Sequence, residues 1–169
     1  MSGPVRLEPW GADDLPLLEK LLGDPAMMGH LGGPESPTKI RERQARYERR
    51  GSRQFKVIDR TTGDGVGWVG YWERDWRDQP VYETGWSIIP AFQGRGLAAD
   101  ATAQLISRAA AERRRRFMHA FPSVDNGASN AICRKLGFEL LGQLEFEYPP
   151  GHGHVMLTND WRFDLASVW

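Results

Sequence analysis

The chain has 169 residues, of which 40% are hydrophobic and 26% are charged. This length and composition are typical of one globular domain and exclude a disordered chain. Lys and Arg together number 22, as do Asp and Glu, so the formal net charge is zero, which argues against a protein dedicated to nucleic acid.

Single features of the sequence exclude other classes of protein. The lone cysteine, Cys133, rules out an internal disulfide and a multi-cysteine zinc site. No stretch approaches the roughly 20 apolar residues of a membrane span, and the N-terminal residues lack the apolar core of a signal peptide. The histidines lack partner ligands, so no metal site is expected. We therefore expect one cytoplasmic domain over residues 1–169 that binds neither membrane nor nucleic acid.

Helical and strand periodicities alternate along the chain. In chain order they predict a strand at 5–10, helices at 13–22 and about 34–50, strands at 54–59, 66–74 and 81–89, a helix at 97–110, a strand at 117–121, a helix at 125–136, and strands at 138–148 and 155–165. Polar residues at 75–80 predict a turn. This order predicts an α+β fold with a mixed, mostly antiparallel twisted sheet of six to seven strands flanked by helices.

One segment carries a recognisable chemical pattern, in which a strand runs into the glycine loop Gln93–Gly96 and then directly into a helix. The first turn of a helix has N–H groups without intrahelical partners, and its dipole is positive there. The loop therefore suits a phosphate or pyrophosphate. It lacks the Gly-Lys-Ser/Thr of a Walker loop and the third glycine of a dinucleotide motif. By itself the pattern is also compatible with a plain tight turn.

Two motifs together resemble those of the GNAT superfamily of acyl-CoA-dependent N-acetyltransferases. Gln93, Gly96 and Ala98 match the family's Gln/Arg-x-x-Gly-x-Gly/Ala motif, and Asn126, Ser129, Gly137 and Phe138 match its Asn-x-x-Ser/Ala helix that ends in Gly-Phe. The order of the predicted elements fits along essentially the whole chain. The runs 83–86 and 134–138 most resemble the ribosomal-protein N-terminal acetyltransferase branch, which also contains enzymes for small amines.

The resemblance implies that acetyl-CoA is the cosubstrate. Amides of the glycine loop would hold the pyrophosphate, and the end of the preceding strand would pair with the pantetheine. Asn126 and Ser129, on the helix at 125–136, would contact the pantetheine or adenosine arm from the opposite side. Two central parallel strands would splay apart at the thioester. The implied binding residues are Ile88, Ile89, Gln93, Gly94, Arg95, Gly96, Leu97, Ala98, Asn126 and Ser129.

Glu83 is the candidate general base, because the family commonly carries a glutamate on the strand before the glycine loop. An amine must lose a proton before it attacks a thioester, and the thioester oxygen needs a donor, which in this family is a backbone N–H near Ile88. A glutamate is unusual in so apolar a strand, and burial would raise its pKa toward a useful range. The alternative is a solvent-facing carboxylate or an ion pair with Arg74.

Cys133 stands where many relatives carry a tyrosine that protonates the leaving thiolate. A thiol has an ordinary pKa of roughly 8.5, so Cys133 is a candidate general acid. The alternative is a small buried residue of the core. No histidine is placed to make it an acyl-carrying nucleophile.

Aromatic residues are the candidates for the acceptor pocket. Trp68, Trp72 and Tyr148 are predicted to line it, with packing of the sheet as the alternative. The predicted function is direct acetyl transfer from acetyl-CoA to a primary amine, either a protein N-terminus or a small molecule. A catalytically silent acyl-CoA-binding sensor or assembly domain is the second hypothesis. The resemblance also allows a homodimer.

Overall fold

A single mixed sheet organises the computed structural model, which describes residues 3–29, 33–147 and 155–169. Its strands lie in the order β1-β2-β3-β4-β5-β7-β6. They are β1 (Val5–Pro9), β2 (Gln54–Asp59), β3 (Gly65–Trp76), β4 (Gln79–Ile88), β5 (Phe117–Ala120), β6 (Glu139–Glu147) and β7 (Val155–Asp164). The helices of the described residues are α1 (Leu15–Leu22), α2 (Pro37–Tyr47), α3 (Leu97–Glu112) and α4 (Gly127–Leu136). The predicted α+β architecture is confirmed.

The hairpin between β3 and β4 differs from the prediction of a polar turn over 75–80. Both strands continue to a two-residue turn at Arg77 and Asp78, whose φ angles are 50° and 63°. Two positive φ angles match the right-handed twist of the flanking strands, so the ladder stays closed up to Trp76 and Gln79. The longer hairpin brings Trp76 to β7, where its Nε1 donates to Asp160 Oδ2 at 3.2 Å.

Hydrophobic residues cover both faces of the sheet. On one face, α3 and α4 pack over the larger core cluster, which includes Val69, Tyr82, Leu105 and Met118. On the other face, α1 and α2 enclose a smaller cluster of Trp10, Leu18, Leu21, Ile40 and Tyr47. Residues that alternate along a central strand therefore face two different helical layers.

β4 and β5 are the parallel pair, and they pair over a very short length. Their register joins Tyr82 to Met118 and Glu83 to His119 only, whereas β4 continues to Ile88. β5 instead pairs antiparallel with β7 along its length. The C-terminal half of β4 thus has one paired edge, toward β3, and one edge that β5 leaves open.

The end of α3 is attached to the sheet by a hydrogen-bond cluster around Glu112. Glu112 Oε2 accepts from Tyr82 Oη at 2.7 Å and from Tyr71 Oη at 3.1 Å, and Arg53 Nε donates to Glu112 Oε1 at 3.1 Å. Burial, followed by the Glu112 carboxylate, raises the pKa of Tyr82 to about 12. Both phenols therefore stay protonated and act as donors that hold the helix on β3 and β4.

Removal of this acceptor is expected to destabilise the domain. Glu112→Ala leaves two buried hydroxyl groups without a partner, so the free energy of unfolding should fall by about 2 kcal/mol in urea titrations. Glu42→Ala, at an exposed position of α2, is the matched control and should change it by less than about 0.5 kcal/mol. Equal effects of the two substitutions would contradict the structural role of Glu112.

Candidate active site

The loop between β4 and α3 depends on two glycines in the left-handed region. Gly94 has a φ of 78° and Gly96 a φ of 76°, angles at which an L side chain is strained. A Cβ at either position would meet no atom within 4 Å. The glycines are therefore required by backbone conformation, and the space beside them is open.

Backbone amides, more than side chains, face the open side of this loop. Within residues 33–147, the structure provides no acceptor for the amides of residues 94–99, and the first helical bond runs from Asp100 N to Gly96 O at 3.1 Å. Gln93 Nε2 donates to Ile88 O at 2.8 Å, and Arg95 Nη1 donates to the buried Asp59 Oδ2 at 3.1 Å. These side chains brace the loop, while its free N–H groups and the start of α3 fit an anion.

The open edge of β4 is the second part of the site. Ile89 N donates to Val66 O on the β3 side at 2.9 Å. Because successive N–H groups of a strand point in opposite directions, those of Ile88 and Trp86 point to the open edge. Ile89, predicted to pair through this edge, therefore has its N–H directed away from it, whereas Trp86, which the sequence did not indicate, directs its N–H to it.

The beginning of α4 lies across from this edge. Asn126 caps the helix, with its Oδ1 accepting from Ser129 N at 3.1 Å. Ser129 Oγ accepts from Trp86 Nε1 at 3.2 Å. Ser129 is therefore held against β4 by a tryptophan, and Asn126 lies at the start of the same helix; their contact with a ligand stays a prediction.

Glu83 lies at the last position where β4 and β5 pair. Its side chain is 18% exposed and forms an ion pair with Arg74 of β3. Burial raises the pKa of Glu83, while the Arg74 hydrogen bond and the charges of Arg74 and His119 act to lower it. The predicted ion pair and the predicted buried carboxylate are therefore both present in one residue.

Aromatic rings surround the guanidinium group that pairs with Glu83. Arg74 Cζ lies 5.1 Å from the ring centre of Trp76 and 5.0 Å from those of Phe121 and Phe146. Such cation–π contacts restrict the guanidinium to one place. The sequence indicates Arg74 only as an ion-pair partner of Glu83 in the alternative interpretation. No local signal in the sequence indicates the aromatic rings around it.

The two predicted tryptophans of the acceptor pocket share a face of the sheet with Glu83. Trp72 is the register partner of Glu83, and Trp68 is the partner of Ser87. Their rings stack with centres 6.3 Å apart and lie over Gly85, where a Cβ would meet Trp68 at 3.1 Å and Trp72 at 3.5 Å. They form one wall next to the carboxylate. Tyr148, the third predicted residue, lies outside the described residues.

Cys133 lies inside the core. It is completely buried, in the same cluster as Phe138 and Trp161. Burial raises the pKa of its thiol to about 12. The packing interpretation of this residue is favoured over the catalytic one, because a proton donor must reach the reacting group.

Other kinds of site have no counterpart in the part of the chain that the structure describes. No three His, Cys, Asp or Glu side chains are grouped there in a way that would hold a metal ion. No helix of the described ranges has both the length and the apolar character needed to cross a bilayer.

Comparison with known proteins relates this geometry to other structures. A family model described as an acetyltransferase (GNAT) domain matches residues 5–139. The fold is similar to that of a GNAT-family acetyltransferase from Bacillus anthracis, with 17% identity, 98% coverage of both chains and a TM-score of 0.81. A spermidine N-acetyltransferase from Vibrio cholerae, solved with CoA and spermine, shares 17% identity over 98% of both chains, with a TM-score of 0.79. A ribosomal-protein-alanine N-acetyltransferase from Brucella melitensis shares 22% identity over 94% of this chain and 99% of its own, with a TM-score of 0.75.

The burial of Cys133 predicts a thiol that does not react in the folded protein. With a pKa of about 12, only about one thiol in ten thousand is ionised at pH 8, and the side chain is sealed from reagent. Ellman's reagent should release no chromophore from native protein and one equivalent per chain in denaturant. Rapid reaction of the native protein would show that Cys133 is accessible to the site.

Proposed function

Because the chain belongs to the GNAT acetyltransferase family, we propose that it transfers the acetyl group of acetyl-CoA directly to a primary amine, with Glu83 as the general base. The observation that carries this proposal is the position of Glu83. Its largely buried carboxylate, 18% exposed, lies where β4 and β5 stop pairing, on the strand that leads into the glycine loop.

The residues of the chain fit acetyl-CoA in three places. The amides of residues 94–99, which have no acceptor among the residues that the structure describes, suit the pyrophosphate at the start of α3, and the two left-handed glycines leave space for it. Backbone groups of Trp86 at the open edge of β4 suit the amides of the pantetheine, which leaves the N–H of Ile88 for the thioester oxygen. Asn126 and Ser129 would bound it from α4. When bound, acetyl-CoA supplies an acetyl group activated as a thioester.

Glu83 would act on the acceptor amine. An ammonium group has to lose a proton before its nitrogen can attack, and a buried carboxylate is a better base than an exposed one. Burial acts on Glu83 in this direction. The N–H of Ile88, directed to the open edge, is the donor that we assign to the developing oxyanion. The proposed mechanism makes no use of Cys133.

The acceptor is proposed to enter on the face of the sheet that carries Glu83. There Trp68 and Trp72 form an apolar wall that suits the carbon chain of an amine, and stacked indoles also favour cations. A protein N-terminus and a small-molecule amine both fit this description. The similarity of the motifs to the ribosomal-protein branch supports the first, and the spermine complex of the Vibrio cholerae relative illustrates the second.

Substitution of the base tests the catalytic assignment. Glu83→Gln keeps the size of the side chain and removes its basicity, so kcat should fall about tenfold or more while the Kd of acetyl-CoA stays nearly constant. CoA release across a panel of amines and peptides would measure kcat, and calorimetry would measure the Kd.

Glu73→Gln is the matched control for this experiment. Glu73 lies on the adjacent strand and pairs with Arg114 and Arg115. Its substitution should leave both kcat and the Kd unchanged. An unaltered kcat in Glu83→Gln would refute the assignment, and binding of acetyl-CoA without acetylation of any amine would favour a silent binding domain.

A second pair of substitutions tests the glycine loop. Gly96→Ala and Gly51→Ala impose the same backbone strain, at φ angles of 76° and 78°, and neither Cβ meets another atom within 4 Å. Each should lower stability by about 1 kcal/mol. Only Gly96→Ala displaces the amides of the loop, so it alone should weaken acetyl-CoA binding, about fivefold or more by calorimetry. Equal affinities in the two variants would contradict the assigned phosphate site.

A further inference from the structure

A buried histidine–aspartate pair lies beside Glu83 and has no part in the function proposed above. His119 is 3% exposed and Asp160 is 1% exposed. His119 Nδ1 lies 2.6 Å from Asp160 Oδ1, and the other oxygen of Asp160 accepts from Trp76 Nε1 at 3.2 Å. With both oxygens engaged, the carboxylate holds the imidazole in one orientation.

This pair is adjacent to Glu83 through the backbone. His119 is the register partner of Glu83, at the second and last position where β4 and β5 pair. Paired residues of neighbouring strands point to the same face of a sheet. The imidazole and the Glu83 carboxylate therefore lie next to each other on the face assigned to the acceptor.

A second connection runs through the aromatic rings. Phe121 stacks on the His119 imidazole, with ring centres 5.7 Å apart and planes 15° from parallel. The same ring lies 5.0 Å from Arg74 Cζ, and Arg74 is the ion-pair partner of Glu83. A shift of His119 would disturb the ring that supports the guanidinium group.

The charged and titratable groups of this cluster lie on the five strands β3 to β7. Glu83 faces Arg74 of β3 and His119 of β5. His119 in turn faces Asp160 and the register partner Arg162, both on β7, and Arg162 pairs with Glu139. A positive charge on His119 lowers the pKa of Glu83, whereas burial raises it. The protonation state of the imidazole is therefore coupled to that of the base.

We infer that His119, fixed in place by Asp160, is a positioning residue of the acetyl-transfer site that controls proton transfer at Glu83. The inference rests on the function proposed for Glu83. In the step concerned, the proton passes from the amine nitrogen to a carboxylate oxygen of Glu83. It then leaves to solvent when Glu83 ionises again, and a positive imidazole next to the carboxylate favours that ionisation.

Replacement of the histidine tests the coupling. His119→Gln removes the positive charge, so the pKa of Glu83, followed by the 13C shift of its carboxyl group, should rise by about one unit. The acidic limb of the pH profile of kcat should move to higher pH by the same amount, because Glu83 must be ionised to accept the proton. A residue that served only for packing would lower stability or kcat without moving this limb.

Asp160→Asn should shift the limb in the same direction, because the imidazole loses the carboxylate that holds it next to Glu83. Asp164→Asn is the matched control, since it makes the same change on the same strand in an exposed pair with Arg116. The pH profile of kcat of Asp164→Asn should be the same as that of the wild-type protein. Circular dichroism would verify that each variant is folded.

The wild-type protein offers a measurement that needs no substitution of a buried residue. If the two groups are coupled, the titration curve of the Glu83 carboxyl shift should show two inflections instead of one. A single inflection in the titration of the Glu83 carboxyl shift would overturn the inference. So would an acidic limb of the kcat profile that stays at the same pH in folded His119→Gln. Retention of kcat in Glu83→Gln would instead refute the proposed function, so the two failures are distinguishable.

Discussion

The site depends on one constraint, which is that β4 and β5 pair at only two positions. Parallel strands usually continue side by side, because each unpaired backbone group loses a hydrogen bond. Here β5 ends at Ala120 and the chain turns toward α4, while β4 continues to Ile88. The consequence is a row of backbone donors and acceptors inside the sheet that a ligand with amide groups can complete.

The elements around this opening are held independently of it. Tyr71 and Tyr82 anchor the far end of α3 through Glu112, so that its first turn is held at the glycine loop. Asn130 performs the corresponding task for α4, because its Oδ1 accepts from Asn159 Nδ2 and Trp161 Nε1, each at 2.8 Å. The opening can therefore stay unpaired without loss of the fold that surrounds it.

Buried charges collect where the pairing ends. Glu83 lies with Arg74, and His119 lies with Asp160, on one face of the sheet. A buried carboxylate is tolerated when it is paired and hydrogen-bonded, and its basicity then depends on its neighbours. The same arrangement that makes these groups tolerable in the interior also makes the proton affinity of Glu83 sensitive to each of them.

The sequence by itself determined the order of the elements and the glycine loop, because periodicity and the spacing of glycines before a helix are local signals. Glu83 was proposed as the base from the family resemblance together with its place in an apolar strand. No local pattern in the sequence indicates three other features of the structure. They are the tyrosine hydroxyls that hold α3, the aromatic rings around Arg74 and the burial of Cys133. The pairing of His119 with Asp160 joins residues 41 positions apart. Whether Ile88 or Ile89 directs its N–H to the open edge depends on the pairing of β4 with β3. Only the tertiary structure decided these features, because strand register is set by contacts between segments that are distant in the chain.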